Sequence, residues 1–141
     1  MDDRASQHLH LQAGEYVIEH LPQGAVPPAS ADWAALVRAP EGLTVVRRAA
    51  GTETAPVGRW VAFYSGQTAH SLDLPGMLAA VVNPLAQAAI PVFVTSTYHA
   101  DLVFVPAERW TEAAGTLRRA GHVVHDPVGA SANFPRSTDP A

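Results

Sequence analysis

Apolar positions in the second half of the chain change period several times, and each change marks an element. Trp60-Val61-Ala62-Phe63-Tyr64 is a short apolar run, too short for a helix, and predicts a strand. Gly66 to Pro75 is polar and predicts a loop. From Gly76 to Ala89, Leu78, Val81, Val82, Leu85 and Ala89 recur at helical spacing. Pro84 lies inside that helix; it lacks an N–H and crowds the carbonyl of Ala80, so a kink or a locally opened turn is expected. Ile90 to Thr95 is β-branched and aromatic, a second strand, and Ser96 to Ala100 is a turn. Asp101 to Val105 is a third strand, ended by Pro106. A helix opens there, with Glu108 and Glu112 near its positive end and Arg118 and Arg119 near its negative end. Trp110, Ala113, Ala114 and Leu117 form its inner face, and Gly121 is its C-cap. His122 to His125 is a last short strand.

The resulting order is β-α-β-β-α-β, an α+β pattern of the ferredoxin-like type. The first half is less regular. Leu9-His10-Leu11 and Glu15 to Glu19 flank Gln12-Ala13-Gly14 like a hairpin. Trp33 to Arg38 reads as one or two helical turns, and Leu43 to Arg48 as a strand. A polar segment, Ala50 to Gly58, separates the halves. The division expected is a strand-rich first half over 8–56, a βαββαβ domain over 57–126, and a Gly/Ser/Pro-rich tail over 127–141.

Composition narrows the functions open to such a fold. The chain has 141 residues, is 48% hydrophobic and 16% charged, and carries a net charge of −4. That suffices for one packed domain or two small halves sharing a core. Its nine cations are all arginine and are scattered, so no basic surface for nucleic acid is expected. Cysteine is absent, which excludes disulfides, thiolate metal sites and cysteine nucleophiles. Leu74 to Tyr98 is uncharged, but Pro75, Pro84 and Pro91 interrupt it, so a helix and a buried strand are expected instead of a membrane span. A charged start with no apolar run after it points to a cytoplasmic protein.

Several short motifs occur in order. They are Leu72-Asp73-Leu74-Pro75-Gly76-Met77-Leu78-Ala79, Pro84-Leu85-Ala86, Ile90-Pro91-Val92-Phe93, Ser96-Thr97-Tyr98 and Asp101-Leu102-Val103-Phe104-Val105. Together they resemble the ACT-domain proteins of the group that includes the eukaryotic cytosolic arginine sensors and short bacterial relatives. The resemblance runs from about Trp60 to Val124. More loosely, Gly14 to Val17, Pro27, Trp33 and Leu43 to Val46 resemble the first ACT-like half of that group, here degenerate. The resemblance implies a regulatory module that binds a small molecule, an amino acid above all, and pairs side by side within a chain or as a homodimer. It places the ligand at the loop before the first helix and at the Ser-Thr-aromatic turn. The implied ligand-binding residues are Ser65, Gly66, Asp73, Pro75, Gly76, Met77, Ser96, Thr97, Tyr98 and His99. Two departures stand out. His99 occupies a position that is commonly acidic, and the loop Gly66 to Asp73 is longer and more polar than usual.

Strand directions in a ferredoxin-like sheet bring Ser65 to Gly76 and Ser96 to Asp101 to the same end. A helix start near Gly76 adds unpaired backbone donors there, suited to a carboxylate or phosphate. Asp73 either pairs with an ammonium group or caps the helix. Tyr98 and Phe63 read as core or interface residues before ligand platforms. The seven histidines suggest no metal site. His8 and His10 share a strand face but have no evident third ligand, and His122 and His125 face opposite sides of a strand. His70, Asp73, Ser65 and His99 share one loop end but offer no strained nucleophile turn. No phosphate-binding glycine motif is present. The expectation is a non-catalytic, cofactor-free sensor for a small molecule, with a ligand-free protein-interaction module of the same fold as the alternative.

Overall fold

The structure, a computed structural model, describes residues 6–27, 29, 32–66 and 75–127. Among these residues, eight strands form one sheet, with two helices packed on it. The strands are β1 (His8–Leu11), β2 (Tyr16–Leu21), β3 (Trp33–Ala39), β4 (Gly42–Arg48), β5 (Trp60–Tyr64), β6 (Phe93–Ser96), β7 (Asp101–Pro106) and β8 (Val123–His125). The helices are α1 (Met77–Gln87) and α2 (Trp110–Arg119), the latter entered through a single 3₁₀ turn at Ala107–Arg109. From β5 onward the order is βαββαβ, the ferredoxin-like arrangement expected. Among the described residues, no helix is long and apolar enough to cross a membrane.

The two-residue period of the strands sets the layers. Leu9 and Leu11 of β1, Val61 and Phe63 of β5, Val103 and Val105 of β7 and Val124 of β8 form one core with Val81 and Leu85 of α1 and Ala113, Ala114 and Leu117 of α2. The opposite positions, Ala62 and Phe104, pack with Tyr16, Ala35 and Val46 of the first half. Tyr16 and Phe93 each meet the Phe104 ring edge-on, at 5.3 and 6.0 Å between centroids. Buried on both faces, β5 therefore reads as an unbroken apolar run.

The N-terminal residues depart from the hairpin expected of them. β1 and β2 do not pair with each other. Both run antiparallel to β5 along one edge, with Leu11 opposite Phe63 and Tyr16 opposite Trp60. Gln12, Ala13, Gly14 and Glu15 thus face only Val61 and Ala62, a bulge of two extra residues in one long strand. Gly14 takes φ 82° within it. β5 presents an open edge long enough for both segments, so the chain has no need to reverse. On its other side β1 pairs parallel with β8, His8 opposite Val123 and His10 opposite His125. β1 is therefore inserted between β5 and β8.

Trp33 to Arg38 is also not helical. It is β3, paired antiparallel with β4 through a tight turn at Pro40-Glu41. Its alanines and leucine favour a helix, but so short a segment cannot hold one by propensity alone, and the neighbouring strand decides. Gly42, after that turn, adopts φ 137°, and a Cβ there would lie 2.3 Å from the Leu21 carbonyl oxygen.

α1 runs unbroken through Pro84, without the opened turn expected. The carbonyl of Ala80, which Pro84 cannot bond, accepts a hydrogen bond from Nε2 of His122 at 2.8 Å. Both helices end in Schellman motifs. In α2, His122 N–H bonds the Leu117 carbonyl and Gly121 N–H that of Arg118. In α1, Ile90 N–H bonds the Leu85 carbonyl and Ala89 N–H that of Ala86, with Ala89 at φ 58°.

Candidate functional site

β5, β6 and β7 bring Ser65 and the Ser96–Asp101 turn together. Ser65 and Asp101 sit opposite each other, one pair beyond Tyr64 and Leu102. Ser65 N–H bonds the Asp101 carbonyl at 3.1 Å, and Asp101 N–H bonds Ser65 Oγ at 3.0 Å. Ser96 Oγ donates to Asp101 Oδ1 at 2.8 Å. Thr97 N–H bonds the Ala100 carbonyl at 2.8 Å, and Ala100 N–H bonds Thr97 Oγ1 at 3.0 Å. Ser65 and Asp101 are buried, so these bonds replace water as partners for their polar groups. Tyr98 and His99 crown the turn, ring edge to ring face at 4.9 Å, with Tyr98 77% exposed. Tyr98 is thus not a core residue.

Pro75, Gly76 and Met77 lie at the same end of the sheet, because β5 leads there and α1 starts there. Gly76 caps α1 at φ 84°, a conformation that favours glycine, and, its two chain neighbours aside, no atom of the described residues lies within 4 Å of where its Cβ would stand. Its carbonyl accepts the first helical bond, from Ala80 N–H at 3.1 Å. Gly66 is held for another reason: a Cβ there would lie 2.0 Å from the Tyr64 ring. Asp73 and His70 lie outside the described residues.

Gln7 and His122, which the motifs did not reveal, tie the α1 start to the sheet. Gln7 Nε2 donates to the Met77 carbonyl at 2.7 Å, and Gln7 N–H donates to His122 Nδ1 at 3.1 Å. With Nδ1 accepting and Nε2 donating, His122 is the neutral Nε2–H tautomer. Gln7 is 6% exposed, and its Oε1 is buried without a hydrogen-bond partner among the described residues. The insertion of β1 creates this constellation, and no local motif signals a parallel pairing with β8.

The same pairing stacks three imidazoles on the opposite face of the sheet. His125 lies 4.5 Å from His10 and 5.1 Å from His8, ring centroid to centroid, and His8 Nδ1 is 2.9 Å from His125 Nε2. One proton bridges that contact. Among the described residues, no group of three or more His, Cys, Asp or Glu side chains is placed to hold a metal ion.

A cleft of about 300 Å³ opens at the far end of β1, lined by His10, Leu11, Gln12, Ala13, Arg48, Asp126 and Pro127. Nearby, arginines organise the first half. Arg47 grips Glu19 with two bonds, at 2.9 and 3.0 Å, and also holds Glu53. Those bonds, with Ala50 N–H, lower the Glu53 carboxyl to about 2. Arg59 pairs with Glu15 at 3.1 Å and bonds the Glu53 and Ala50 carbonyls, fastening the segment between the halves. Burial raises the Tyr16 phenol above its ordinary value, against the lowering effect of Arg48 beside it.

Comparison with known proteins agrees with this geometry. The ACT-domain sequence profile matches residues 57–119. A solved structure from Agrobacterium tumefaciens is 26% identical over 86% of this chain and 93% of its own, with a TM-score of 0.73. Another, from Vibrio cholerae, is 30% identical over 79% of this chain and 87% of its own, with a TM-score of 0.68. It is described as a protein of unknown function and possible transport protein. No curated protein matches the chain. The profile spans β5 to the end of α2, the elements that build the Ser65, Gly76 and Ser96–Asp101 end of the sheet, and residues 57–119 of the chain form an ACT domain.

Proposed function

We propose that this protein is a non-catalytic, cytoplasmic regulator that binds a small molecule, an amino acid or a close analogue, where α1 begins beside the Ser96–Asp101 turn. The observation carrying this reading is the buried Gln7 Oε1, an acceptor without a partner among the described residues, beside the first turn of α1. An orphaned buried acceptor costs about 1–3 kcal/mol, and a donor entering beside Met77 would recover it. An ammonium or amide N–H of a ligand supplies such a donor. The α1 start supplies backbone N–H groups for the ligand's acidic end, with open space at Gly76 for close approach. Ser65, Gly66, Asp73, Pro75, Met77, Ser96, Thr97 and His99 complete the proposed site, and Tyr98 closes over it from the turn. ACT domains are typically regulatory, which favours sensing over turnover. β6 pairs only with β7 among the strands described, and its open edge suits a homodimer.

Thermal unfolding against a panel of the twenty amino acids and common metabolites tests the reading. A ligand at 100 times its dissociation constant stabilises a two-state fold by about 2.7 kcal/mol. Tyr98→Ala changes an exposed side chain, so it should leave the unliganded midpoint in place and shrink the ligand-induced shift. A flat panel with a folded protein refutes the proposal.

A further inference from the structure

We propose that the cleft between Arg48 and Asp126 is a second ligand site, for a small molecule carrying a carboxylate and a cationic nitrogen together, such as a free α-amino acid or a betaine. It does not rest on the reading above, because it lies at the opposite end of β1 from Gln7 and α1.

The cleft follows from the topology. β8 covers the outer edge of β1 as far as His10, opposite His125, and β4 covers the outer edge of β2 from Tyr16, opposite Arg48. Neither strand covers the bulge that starts at Gln12. The sheet edge is therefore notched, with His10 to Ala13 as the floor, Arg48 on one wall, and Asp126 and Pro127 on the other. At about 300 Å³ the notch accommodates an amino-acid-sized molecule.

Its charges are complementary to such a molecule. Arg48 is fixed by a bond to the Ala13 carbonyl at 2.5 Å, by Asp32 at 3.3 Å and by the Tyr16 ring, whose centroid is 5.3 Å from its Cζ. This anchoring holds the planar guanidinium, which suits a carboxylate. Asp126 makes no ion pair or hydrogen bond among the described residues, and Arg48 and Asp126 do not pair with each other. Two opposite charges thus line one cleft without meeting. A molecule with its own opposed charges bridges them, carboxylate to Arg48 and cationic nitrogen to Asp126. The imidazole stack of His10, His125 and His8 stiffens the floor beneath it.

Isothermal titration calorimetry of the full chain with each of the twenty amino acids and with glycine betaine tests the inference. The α-N-acetyl and methyl-ester forms of any amino acid that binds are titrated in parallel. Saturable binding is expected in the Tyr98→Ala variant, which weakens any binding at the α1 end, and there it is weakened at least tenfold by Asp126→Asn, by Arg48→Lys and by either blocking group. Asp126→Asn carries the most weight, since that side chain holds nothing among the described residues. Absence of any heat of binding at millimolar ligand overturns the proposal. So does binding in the Tyr98→Ala variant that survives both Asp126→Asn and Arg48→Gln, or binding lost in Tyr98→Ala alone, which returns the ligand to the α1 end.

Discussion

Replacing His122 with alanine should destabilise the fold by about 2–4 kcal/mol, and part of that cost should vanish when Pro84 is also replaced. The imidazole makes two bonds to backbone groups, accepting from Gln7 N–H at 3.1 Å and donating to the Ala80 carbonyl at 2.8 Å. Leaving each partner unsatisfied costs about 1–3 kcal/mol, toward the lower end for Ala80, which is only half-buried. The Ala80 carbonyl needs His122 solely because Pro84 has no N–H to offer it. In Pro84→Ala the ordinary helical bond can form, so His122→Ala then strips only the Gln7 partner. A double-mutant cycle by urea unfolding should therefore show a coupling of about 1 kcal/mol between positions that share no direct bond. Additive costs, within about 0.3–0.5 kcal/mol, would refute the claim that the histidine serves the carbonyl orphaned by the proline.

Ala89→Gly should stabilise the protein by about 0.5–1 kcal/mol in the same assay, because Ala89 occupies the left-handed C′ position of α1 at φ 58°. The Glu53 carboxyl, lowered to about 2 from 4.5 first by its bond to Arg47, contributes stability that is present above pH 4.5 and lost as pH falls toward 2. Glu53→Gln should accordingly flatten the fall of the urea midpoint between pH 5 and 2, and an unchanged slope would contradict the pairing. A fragment of residues 57–126 should fail to unfold cooperatively by circular dichroism, since among the described residues β8 pairs only with β1 and the core loses Leu9 and Leu11. Burial of each of those leucines contributes about 1.5–3 kcal/mol.

The sequence was legible where short-range patterns governed the outcome. Leu78, Val81, Val82 and Leu85 mark α1, and Trp110, Ala113, Ala114 and Leu117 mark the inner face of α2. The Ser96–Ala100 turn and the convergence of Ser65 with it follow from strand directions alone. What stayed illegible depended on partners distant in sequence. Gln12-Ala13-Gly14 has hairpin composition, yet the open edge of β5 turned it into a bulge. Trp33 to Arg38 has no strand alternation, yet β4 recruits it. His122 and His125 were rightly placed on opposite faces, but the alignment of His125 with His10 required knowing that β1 lies beside β8. Asp101 was visible only as a strand start, although its carboxylate and backbone organise Ser65 and Ser96.

The insertion of β1 also explains why two candidate sites coexist in so small a protein. In a βαββαβ sheet the last strand ordinarily lies against the first. Here β1 separates β8 from β5, and both its ends project beyond ordered pairing. At one end, Gln7 reaches the first turn of α1 and leaves an acceptor unused. At the other, the bulge after Leu11 leaves a notch that neither β4 nor β8 fills. Between them Leu9 and Leu11 are fixed in the core, so the strand is a rigid reference for both ends. Polar groups left unmatched by the pairing are thereby held in place at each end instead of relaxing onto one another, which is the condition for recognising something other than the chain itself.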